Sequence, residues 1–367
     1  MARIELKQLA HSYHTHPQQP EDYAVRELDH VWEQGKAYAL LGPSGCGKTT
    51  LLNLISGLLQ PTQGQVWFDD QDVTGFDPQT RNIAQVFQFP VVYDTMTVYD
   101  NLAFPLRNRG LGAQVIRSRV QEVAEMLELS HVLKRRACNL TADEKQKISM
   151  GRGLVRSDVS AILFDEPLTV IDPHHKWLLR RQLKQVHERF NLTMIYVTHD
   201  QLEAMTFADE VAVMIEGQVV QIGAPHELFE NPAHTFVGYF IGSPGMNVLP
   251  CQLDHGEAIL DGIRIAVDPA LAAKAQQQGG QLELGIRPEY LSLSDETAPG
   301  YIPVRVSHIE DLGTYRIITV RLGMHNLRVK LPEEQSLRGE DAFLYFPPER
   351  TKLYAESRLV NQAITSK

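Results

Sequence analysis

Residues 36–59 read KAYALLGPSGCGKTTLLNLISGLL and decide the fold of the first part of the chain. Residues 36–41 form a short apolar run typical of a buried strand, and the apolar positions after residue 50 recur at helical spacing. The residues between them fit G-x-x-x-x-G-K-[ST], a glycine-rich loop whose backbone N–H groups can turn inward around phosphates. A strand, a loop and a helix in this order predict a phosphate-binding α/β core.

The loop supplies the first set of candidate site residues. Lys48 is expected to reach the terminal phosphates of a nucleoside triphosphate, and the Thr49 hydroxyl to ligate Mg²⁺. Cys46 invites a redox interpretation, but a small residue that fills a tight turn is the better one. The predicted nucleotide-binding residues of this segment are Gly42, Pro43, Ser44, Gly45, Cys46, Gly47, Lys48, Thr49 and Thr50.

Two further apolar runs end in polar residues. Residues 161–164 precede Asp165 and Glu166, and residues 193–197 are followed closely by His199. Both runs are typical of buried parallel strands, which bind ligands at their C-terminal ends. Asp165 would hold Mg²⁺ and Glu166 would polarise water, although an isolated Asp-Glu pair is equally often a helix cap. His199 could contact a γ-phosphate from the neighbouring strand, whereas a lone histidine is more often structural.

Composition and charge exclude several classes of protein. The 367 residues suffice for two domains, and 43% hydrophobic with 22% charged residues is typical of a globular protein. The formal net charge of −10 argues against nonspecific binding of nucleic acid. Three cysteines indicate a reducing compartment, and the N-terminus lacks the apolar block of a secretory signal, so we expect the chain in the cytosol.

The pattern of the chain predicts two domains. Residues 1–235 alternate strand and helix patterns, and a mostly helical lobe at about 90–160 interrupts the strand series. Residues 236–367 consist of short alternating segments separated by Gly, Pro, Asp and Asn, which predicts an all-β barrel or sandwich. Within it, the polar stretch AQQQGG at 275–280 is interpreted as a loop.

These motifs together resemble the ABC transporter ATPases, in order and in approximate spacing. The resemblance includes the loop at 42–49, Gln88, the segments 165–167 and 169–172, and His199. The C-terminal stretches FIGSPGMNVLP, LGIRPEYL and FPPERTKLYA resemble the accessory barrel of ATPases that energise sugar and polyol importers of the maltose type. The resemblance implies a P-loop α/β ATPase core with an inserted helical lobe, followed by an OB-like all-β domain.

The resemblance also implies roles for single residues. Tyr13 looks like the aromatic that stacks on adenine, the alternative being a strand residue that packs on its sheet. Gln88 looks like the residue that senses Mg²⁺ and the attacking water, and Asp172 like one that touches the opposite subunit. The predicted catalytic residues are Lys48, Gln88, Glu166 and His199, and the predicted metal ligands are Thr49, Gln88 and Asp165.

One segment departs from the family pattern. Where the family has Leu-Ser-Gly-Gly-Gln, this chain has Leu140, Thr141, Ala142, Asp143 and Glu144. The family motif offers N–H groups and a hydroxyl to ATP held by the other subunit. Here the Thr-x-x-Glu spacing predicts a capping box, in which the helix satisfies its own N–H groups, and Asp143 is expected where an anion would arrive.

The resemblance predicts an ATPase that energises an importer of a small solute, most similar to glycerol or glycerol-phosphate importers. Its expected partners are two membrane-spanning permease subunits, a second ATPase subunit that is a paralogue or a second copy, and indirectly an extracytoplasmic solute-binding protein, with no nucleic acid. The expected location is the cytoplasmic face of the plasma membrane. Two alternatives are an ATP-binding regulatory subunit with little hydrolysis and a soluble nucleotide-dependent switch.

Three surface features remain open. The aromatic residues Phe89, Tyr93 and Phe104 are a candidate dock for a short helix of the membrane subunit or, equally, core of the helical lobe. The sequence HSYHTH at 11–16 raises a metal site but lacks companions at ligand spacing. The basic residues 134–136 predict a solvated face rather than a contact with lipid headgroups.

Overall fold

The computed structural model describes residues 2–335, 337 and 339–360. The chain forms two compact units that divide between Pro225 and His226. The boundary expected from the sequence pattern lay later, after residue 235.

The first unit contains two sheets. Its strands are β1 Ile4–His11, β2 Val25–Trp32, β3 Ala37–Leu41, β4 Gln63–Phe68, β5 Gln71–Asp72, β6 Ala84–Val86, β7 Ile162–Asp165, β8 Met194–Thr198, β9 Glu210–Ile215 and β10 Gln218–Gly223. An antiparallel sheet has the order β2-β1-β4-β5, and a second sheet has the order β10-β9-β3-β8-β7-β6. In the second sheet β9, β3, β8, β7 and β6 run parallel, while the edge strand β10 is antiparallel to β9.

Six helices belong wholly to this unit. They are α1 Lys48–Ser56, α2 Val98–Asn108, α3 Ala113–Met126, α4 Ala142–Leu154, α5 Pro173–Phe190 and α6 Gln201–Phe207. The apolar face of α1 and side chains of both sheets share one buried cluster, in which Leu51 and Ile55 are fully buried. Helices α2, α3 and α4 pack on one another between β6 and β7 in the chain and form the helical lobe. The parallel sheet therefore positions both the loop before α1 and the ends of β6, β7 and β8.

The second unit is rich in strands. These are β11 Asn247–Asp254, β12 Glu257–Leu260, β13 Ile263–Ala266, β14 Leu282–Ile286, β15 Ser292–Ser294, β16 Ile302–Asp311, β17 Tyr315–Leu322, β18 His325–Pro332, β19 Asp341–Tyr345, β20 Lys352–Ala355 and β21 Arg358–Leu359. They form two sheets with the orders β13-β12-β11-β14-β20-β21 and β15-β19-β16-β17-β18. Alternating side chains of both sheets fill one core, as expected for strands with one buried face.

Among the described residues, three further α-helices follow: α7 Pro225–Glu230, α8 Thr235–Phe240 and α9 Pro269–Gln278. The buried guanidinium of Arg287 donates to the carbonyl oxygens of Phe229 (2.6 Å) and Ile241 (2.6 Å) at the ends of α7 and α8. This contact satisfies carbonyls that a helix end leaves without partners. It gives a physical reason why residues 226–241 belong to the second unit.

Helix α9 shows that the interpretation of AQQQGG as a loop was wrong. The helix is capped by Asp268, runs through Gln278, and ends before Gly279, whose φ is +66°. Leu271 and Ala275 are buried in the core of the unit. The glutamines are polar because they lie on the exposed face of a helix, not because the backbone is irregular.

The helices of the described residues include none that is both long enough and apolar enough to span a bilayer.

Candidate functional site

The glycine-rich loop connects β3 to α1, as predicted. Gly45 and Gly47 have φ values of +82° and +100°, a left-handed region that favours glycine. A Cβ on Gly47 would lie 2.1 Å from the carbonyl oxygen of Ala24, so no side chain fits there. Gly47 is also the N-cap of α1 and supplies no capping side chain. The N–H groups of the first turn of α1 are thus left to bind an anion.

Lys48 lies over its own loop. It is buried, and its Nζ donates to the carbonyl oxygens of Gly42 and Pro43, both at 2.9 Å. Cys46 is buried beside it, and burial raises the pKa of its thiol. A buried neutral thiol suits a small residue that fills the turn.

Thr49 and Asp165 meet across the site. The Thr49 hydroxyl donates to Asp165 Oδ1 at 3.0 Å, although the two residues are 116 positions apart. Burial raises the pKa of the Asp165 carboxyl, and the neighbouring charge of Glu166 acts in the same direction, while the Thr49 hydrogen bond and Lys48 oppose it. The hydroxyl and the carboxylate are oxygen ligands of the kind that Mg²⁺ prefers, and a cation beside them would favour the ionised form of the buried Asp165.

Glu166 is held in an unusual conformation beside His199. Its φ is +45°, and its N–H donates to the carbonyl oxygen of Val197 at 3.0 Å. Glu166 Oε2 lies 3.2 Å from His199 Nδ1 and accepts a 3.3 Å hydrogen bond from the Thr169 hydroxyl. The carboxylate is therefore oriented from two sides at the end of β7.

The parallel register brings these residues to one edge of the sheet. Leu41, just before the loop, is paired with Thr198, which precedes His199, and β7 ends at Asp165 opposite Val197. Strand β6 is paired with β7 and ends at Val86, two positions before Gln88. The predicted residues of four segments thus follow the C-terminal ends of adjacent strands.

Tyr13 follows β1 and presents an open ring. Its side chain is 67% exposed, and its hydroxyl lies 3.2 Å from Thr50 Oγ1 in α1. A cavity of about 370 Å³ is lined by Tyr13, Tyr23, Gly45 and their neighbours. An exposed ring tethered to the first turn of the loop helix suits stacking on a base more than packing in a sheet.

The N-terminus of α4 differs from that of α1. Thr141 is its N-cap and accepts a 3.2 Å hydrogen bond from the Glu144 N–H, while Glu144 Oε2 accepts a 2.9 Å bond from the Thr141 N–H. The predicted capping box is confirmed. The first turn of α4 already carries a carboxylate, so its N–H groups are less available to an anion than those of α1.

Asp143 and Asp172 have local partners. Asp143 Oδ2 lies 3.8 Å from Lys147 Nζ, and Oδ1 is buried without a hydrogen bond, so its charge is partly offset within the helix. Asp172 is the N-cap of α5 and accepts a 2.9 Å bond from the His174 N–H. Its predicted contact with another subunit stays a prediction.

The aromatic residues after Gln88 are partly exposed. Phe89 is 69% exposed, and the rings of Tyr93 and Phe104 lie 4.7 Å apart. Arg152 stacks on Tyr93 at 4.6 Å. Beside them, a cavity of about 310 Å³ is lined by Phe87, Val91, Phe104 and residues of α4.

The histidines at 11–16 are not part of a group of three candidate metal ligands in the described part of the chain. Across residues 2–335, 337 and 339–360, no cluster of three or more His, Cys, Asp or Glu side chains is arranged to hold a metal ion. His11 is buried, which lowers its pKa, and its Nδ1 lies 3.3 Å from Thr62 Oγ1.

Two contributors were missed by the sequence analysis. Thr169 holds Glu166, as described above, and Glu203 in α6 is a buried carboxylate that accepts bonds from Thr198 Oγ1 (2.8 Å) and Tyr196 Oη (3.0 Å). A carboxylate four residues after His199 at the start of a helix was the available signal. The hydroxyl partner of Glu166 had no comparable signal, because it depends on the turn after β7.

Comparison with known families supports the resemblance. Residues 25–169 match the ABC transporter family, residues 242–291 the MalK OB fold domain and residues 284–353 the TOBE domain. The chain is 40% identical over 326 residues to the sn-glycerol-3-phosphate import ATP-binding protein UgpC of Escherichia coli K12, covering 87% of this chain and 90% of that protein. The protein of the same name from Pectobacterium atrosepticum is 38% identical over 364 residues, covering 96% and 98%.

Solved structures extend the likeness to the fold. CbiO1 from Clostridium perfringens, part of the ABC transporter complex cbiONQ, is 25% identical with a TM-score of 0.56 and covers 62% of this chain and 90% of that one. A dimeric ATP-binding cassette in a post-hydrolysis state with ADP and Pi is 25% identical with a TM-score of 0.54 and covers 60% and 98%. These structures share the fold of the ABC ATPase over 62% and 60% of this chain, while the family models and the sequence relatives extend to its C-terminal domain.

Proposed function

Because this chain belongs to the family of ABC transporter ATP-binding subunits, we propose that its ATPase site energises import of glycerol 3-phosphate or a related small polyol. Hydrolysis of ATP to ADP and phosphate is the reaction of the family, and importer relatives cover nearly the whole chain. One observation supports the site assignment: three features lie at the same edge of the parallel sheet. They are the N-terminus of α1, which no side chain caps, the contact of Thr49 with Asp165, and the contact of Glu166 with His199. The substrate proposal rests on the relatives alone.

We propose that positioning and charge supply the catalysis. Lys48 leaves its loop carbonyls and neutralises the terminal phosphates, and the first turn of α1 donates N–H groups to them. Glu166 accepts a proton from the attacking water, while His199, 3.2 Å away, orders the γ-phosphate end. Gln88 orders the water from the end of β6. Tyr13 stacks on the adenine.

We propose Thr49, Asp165 and Gln88 as the residues that hold Mg²⁺. Thr49 Oγ1 and Asp165 Oδ1 are 3.0 Å apart, and the buried carboxylate would gain from a cation. When bound with ATP, the ion would offset charge on the β- and γ-phosphates. Without the ion, the hydrogen bond between Thr49 and Asp165 keeps these two side chains oriented.

The raised pKa of Asp165 predicts how Mg²⁺ affinity depends on pH. Because burial favours the neutral acid, this carboxyl takes up a proton at a higher pH than an ordinary aspartate, and the proton competes with the cation. The Mg²⁺ concentration for half-maximal turnover should therefore rise on acidification, by about tenfold per pH unit once the acid form dominates. Magnesium titrations of turnover between about pH 8 and pH 5 measure this. The Asp165→Asn variant should bind weakly at every pH, and an equally steep rise in it would contradict the assignment.

We propose that the surface formed by Phe87, Phe89, Tyr93 and Phe104 receives the membrane-spanning subunits. Exposed aromatic rings beside a cavity of about 310 Å³ are typical of a groove that receives a short helix. The proposal includes two such permease subunits and an extracytoplasmic solute-binding protein that acts through them. It places this chain peripherally on the cytoplasmic face of the membrane.

Phe89→Asp is the test of this docking surface. A charge at a side chain that is 69% exposed should leave the fold and ATP binding unchanged. It should lower the recovery of membrane subunits with the tagged chain by about tenfold. The reason is that an aromatic side chain that becomes buried in such an interface contributes much of the binding energy. Val115→Asp on α3, at a side chain 55% exposed, is the control. Equal recovery with both variants would rule out the surface.

We also propose that the second ATPase subunit is a paralogue. The open N-terminus of α1 can bind phosphate, whereas the capped N-terminus of α4 presents the Glu144 carboxylate. A unit like-charge contact near 4 Å costs roughly 4 kcal/mol at an effective dielectric of about 20, before screening. A chain that holds ATP well but completes a facing site poorly works best with a different partner. A second copy remains the alternative.

A further inference from the structure

Gln146 in α4 touches the backbone beside two proposed catalytic residues. Its side chain is fully buried, and its Nε2 donates to the carbonyl oxygens of Phe87 (3.0 Å) and Pro167 (2.9 Å). Phe87 immediately precedes Gln88, and Pro167 immediately follows Glu166. One amide group therefore joins the helical lobe to both catalytic segments.

The hydrogen bonding of Gln146 is unfavourable for stability alone. Both N–H donors are used, but Oε1 is buried and has no hydrogen-bond partner among the described residues. An unpaired buried acceptor costs free energy that an apolar side chain of similar shape would avoid. A methionine would avoid that cost but would leave the carbonyl oxygens of Phe87 and Pro167 without this donor, so the value of the amide lies in these two contacts.

One of the two segments that Gln146 contacts lies beside a strained residue. Glu166 has a φ of +45°, which a residue with a side chain adopts at a cost. Such conformations persist only where the surroundings hold them, and they concentrate at functional sites. The carbonyl of Pro167 belongs to the peptide that follows Pro167, so this hydrogen bond restrains the chain one residue beyond Glu166.

The same helix also holds the aromatic surface proposed for docking. Arg152 Nη1 donates to the carbonyl oxygen of Val91 at 2.6 Å, and Ser149 Oγ accepts a 3.4 Å bond from the Val91 N–H. Gln146, Ser149 and Arg152 lie at spacings of three residues along α4. Helix α4 thus contacts the docking surface at one point and both catalytic segments at another.

We propose that Gln146 is a positioning residue for ATP hydrolysis, whose buried amide sets the backbone next to Gln88 and Glu166. This inference rests on the catalytic roles proposed above for those two residues. Movement of α4 relative to the parallel sheet then shifts the side chains of Gln88 and Glu166 together, because the amide of Gln146 contacts the backbone beside both. Gln146 itself does not touch the nucleotide.

The test is Gln146→Met in the assembled transporter, purified through a tag on this chain. The substitution removes both donors and keeps the length of the side chain. Turnover should fall by about tenfold to a hundredfold, because small displacements of catalytic groups have effects of that size. The ATP concentration for half-maximal rate should stay within about twofold, since no contact with ATP is lost. The thermal midpoint should fall, because the carbonyl oxygens of Phe87 and Pro167 lose this donor, so turnover is compared well below the midpoint of each variant.

Gln182→Met is the matched control. Gln182 in α5 is also buried and also has an unpaired Oε1, but it has no described contact with the catalytic segments. Its turnover should equal that of the wild type. Equal turnover losses in both Met variants, or wild-type turnover in Gln146→Met, would overturn the inference. If Glu166→Gln, measured in parallel, kept wild-type turnover, the proposed catalytic roles themselves would fail.

Discussion

Glu166→Gln is expected to lower the turnover of ATP by about a thousandfold, since a general base contributes on that order. The amide keeps the shape of the side chain and can still meet the Thr169 hydroxyl, which lies 3.3 Å from Glu166 Oε2. It cannot accept a proton from water. The affinity for ATP should stay within about twofold, because the loop at 42–49 is untouched.

Phosphate release from the assembled transporter and equilibrium binding of an ATP analogue measure the two quantities. Glu188→Gln, an exposed position on α5, is the control for the same chemical change. A Glu166→Gln variant that kept more than about a tenth of the turnover would contradict a general base at this position. A wild-type transporter that bound ATP but released no phosphate would favour the regulatory alternative.

The second large effect is expected at the N-terminus of α4. Replacing its first residues by the family pattern, with Thr141→Ser, Ala142→Gly, Asp143→Gly and Glu144→Gln, removes both carboxylates, while a serine and a glutamine at this spacing can still cap the helix. In a Glu166→Gln background, this change should let the chain pair with itself around ATP. The dissociation constant of that pair should fall by about a hundredfold or more. The like-charge contact that is removed costs roughly 4 kcal/mol before screening, and about 1.4 kcal/mol corresponds to each tenfold change.

Light scattering with and without Mg-ATP measures this pairing. The Glu166→Gln chain with its natural α4 should remain monomeric, and adding Lys48→Ala to the replaced chain should abolish the dimer. An ATP-dependent dimer of the chain with its natural α4 would show that the capped helix works across the interface. The ATPase pair could then be two copies of this chain, and the paralogue proposal would be wrong.

The local features that the sequence predicts in agreement with the structure lie within short segments of the chain. The loop at 42–49, the acidic end of β7 and the capping box each lie within eight residues, and their geometry follows from local rules of helix ends and glycine conformations. Parallel strands with polar ends also predicted that Asp165, Glu166 and His199 meet at one edge, because such ends align in a sheet.

The sequence pattern is misleading where a polar stretch of chain lies on one face of a regular helix. The stretch AQQQGG was interpreted as a loop, yet Ala275 belongs to the buried face of α9. The helix places the glutamines on its exposed face, which the polarity of the stretch alone does not specify.

The sequence by itself determined the nucleotide-binding loop, the order of the strands' polar ends, the departure at α4 and the family to which they belong. Each depends on residues close together in the chain, whose conformations are set by nearby backbone and side-chain atoms. Only the tertiary structure decided that Thr49 meets Asp165 across 116 positions, and that Gln146 reaches Phe87 and Pro167 across 59 and 21. Such contacts arise because packing of the sheet, α1 and α4 brings distant backbone together, and no local periodicity records that packing.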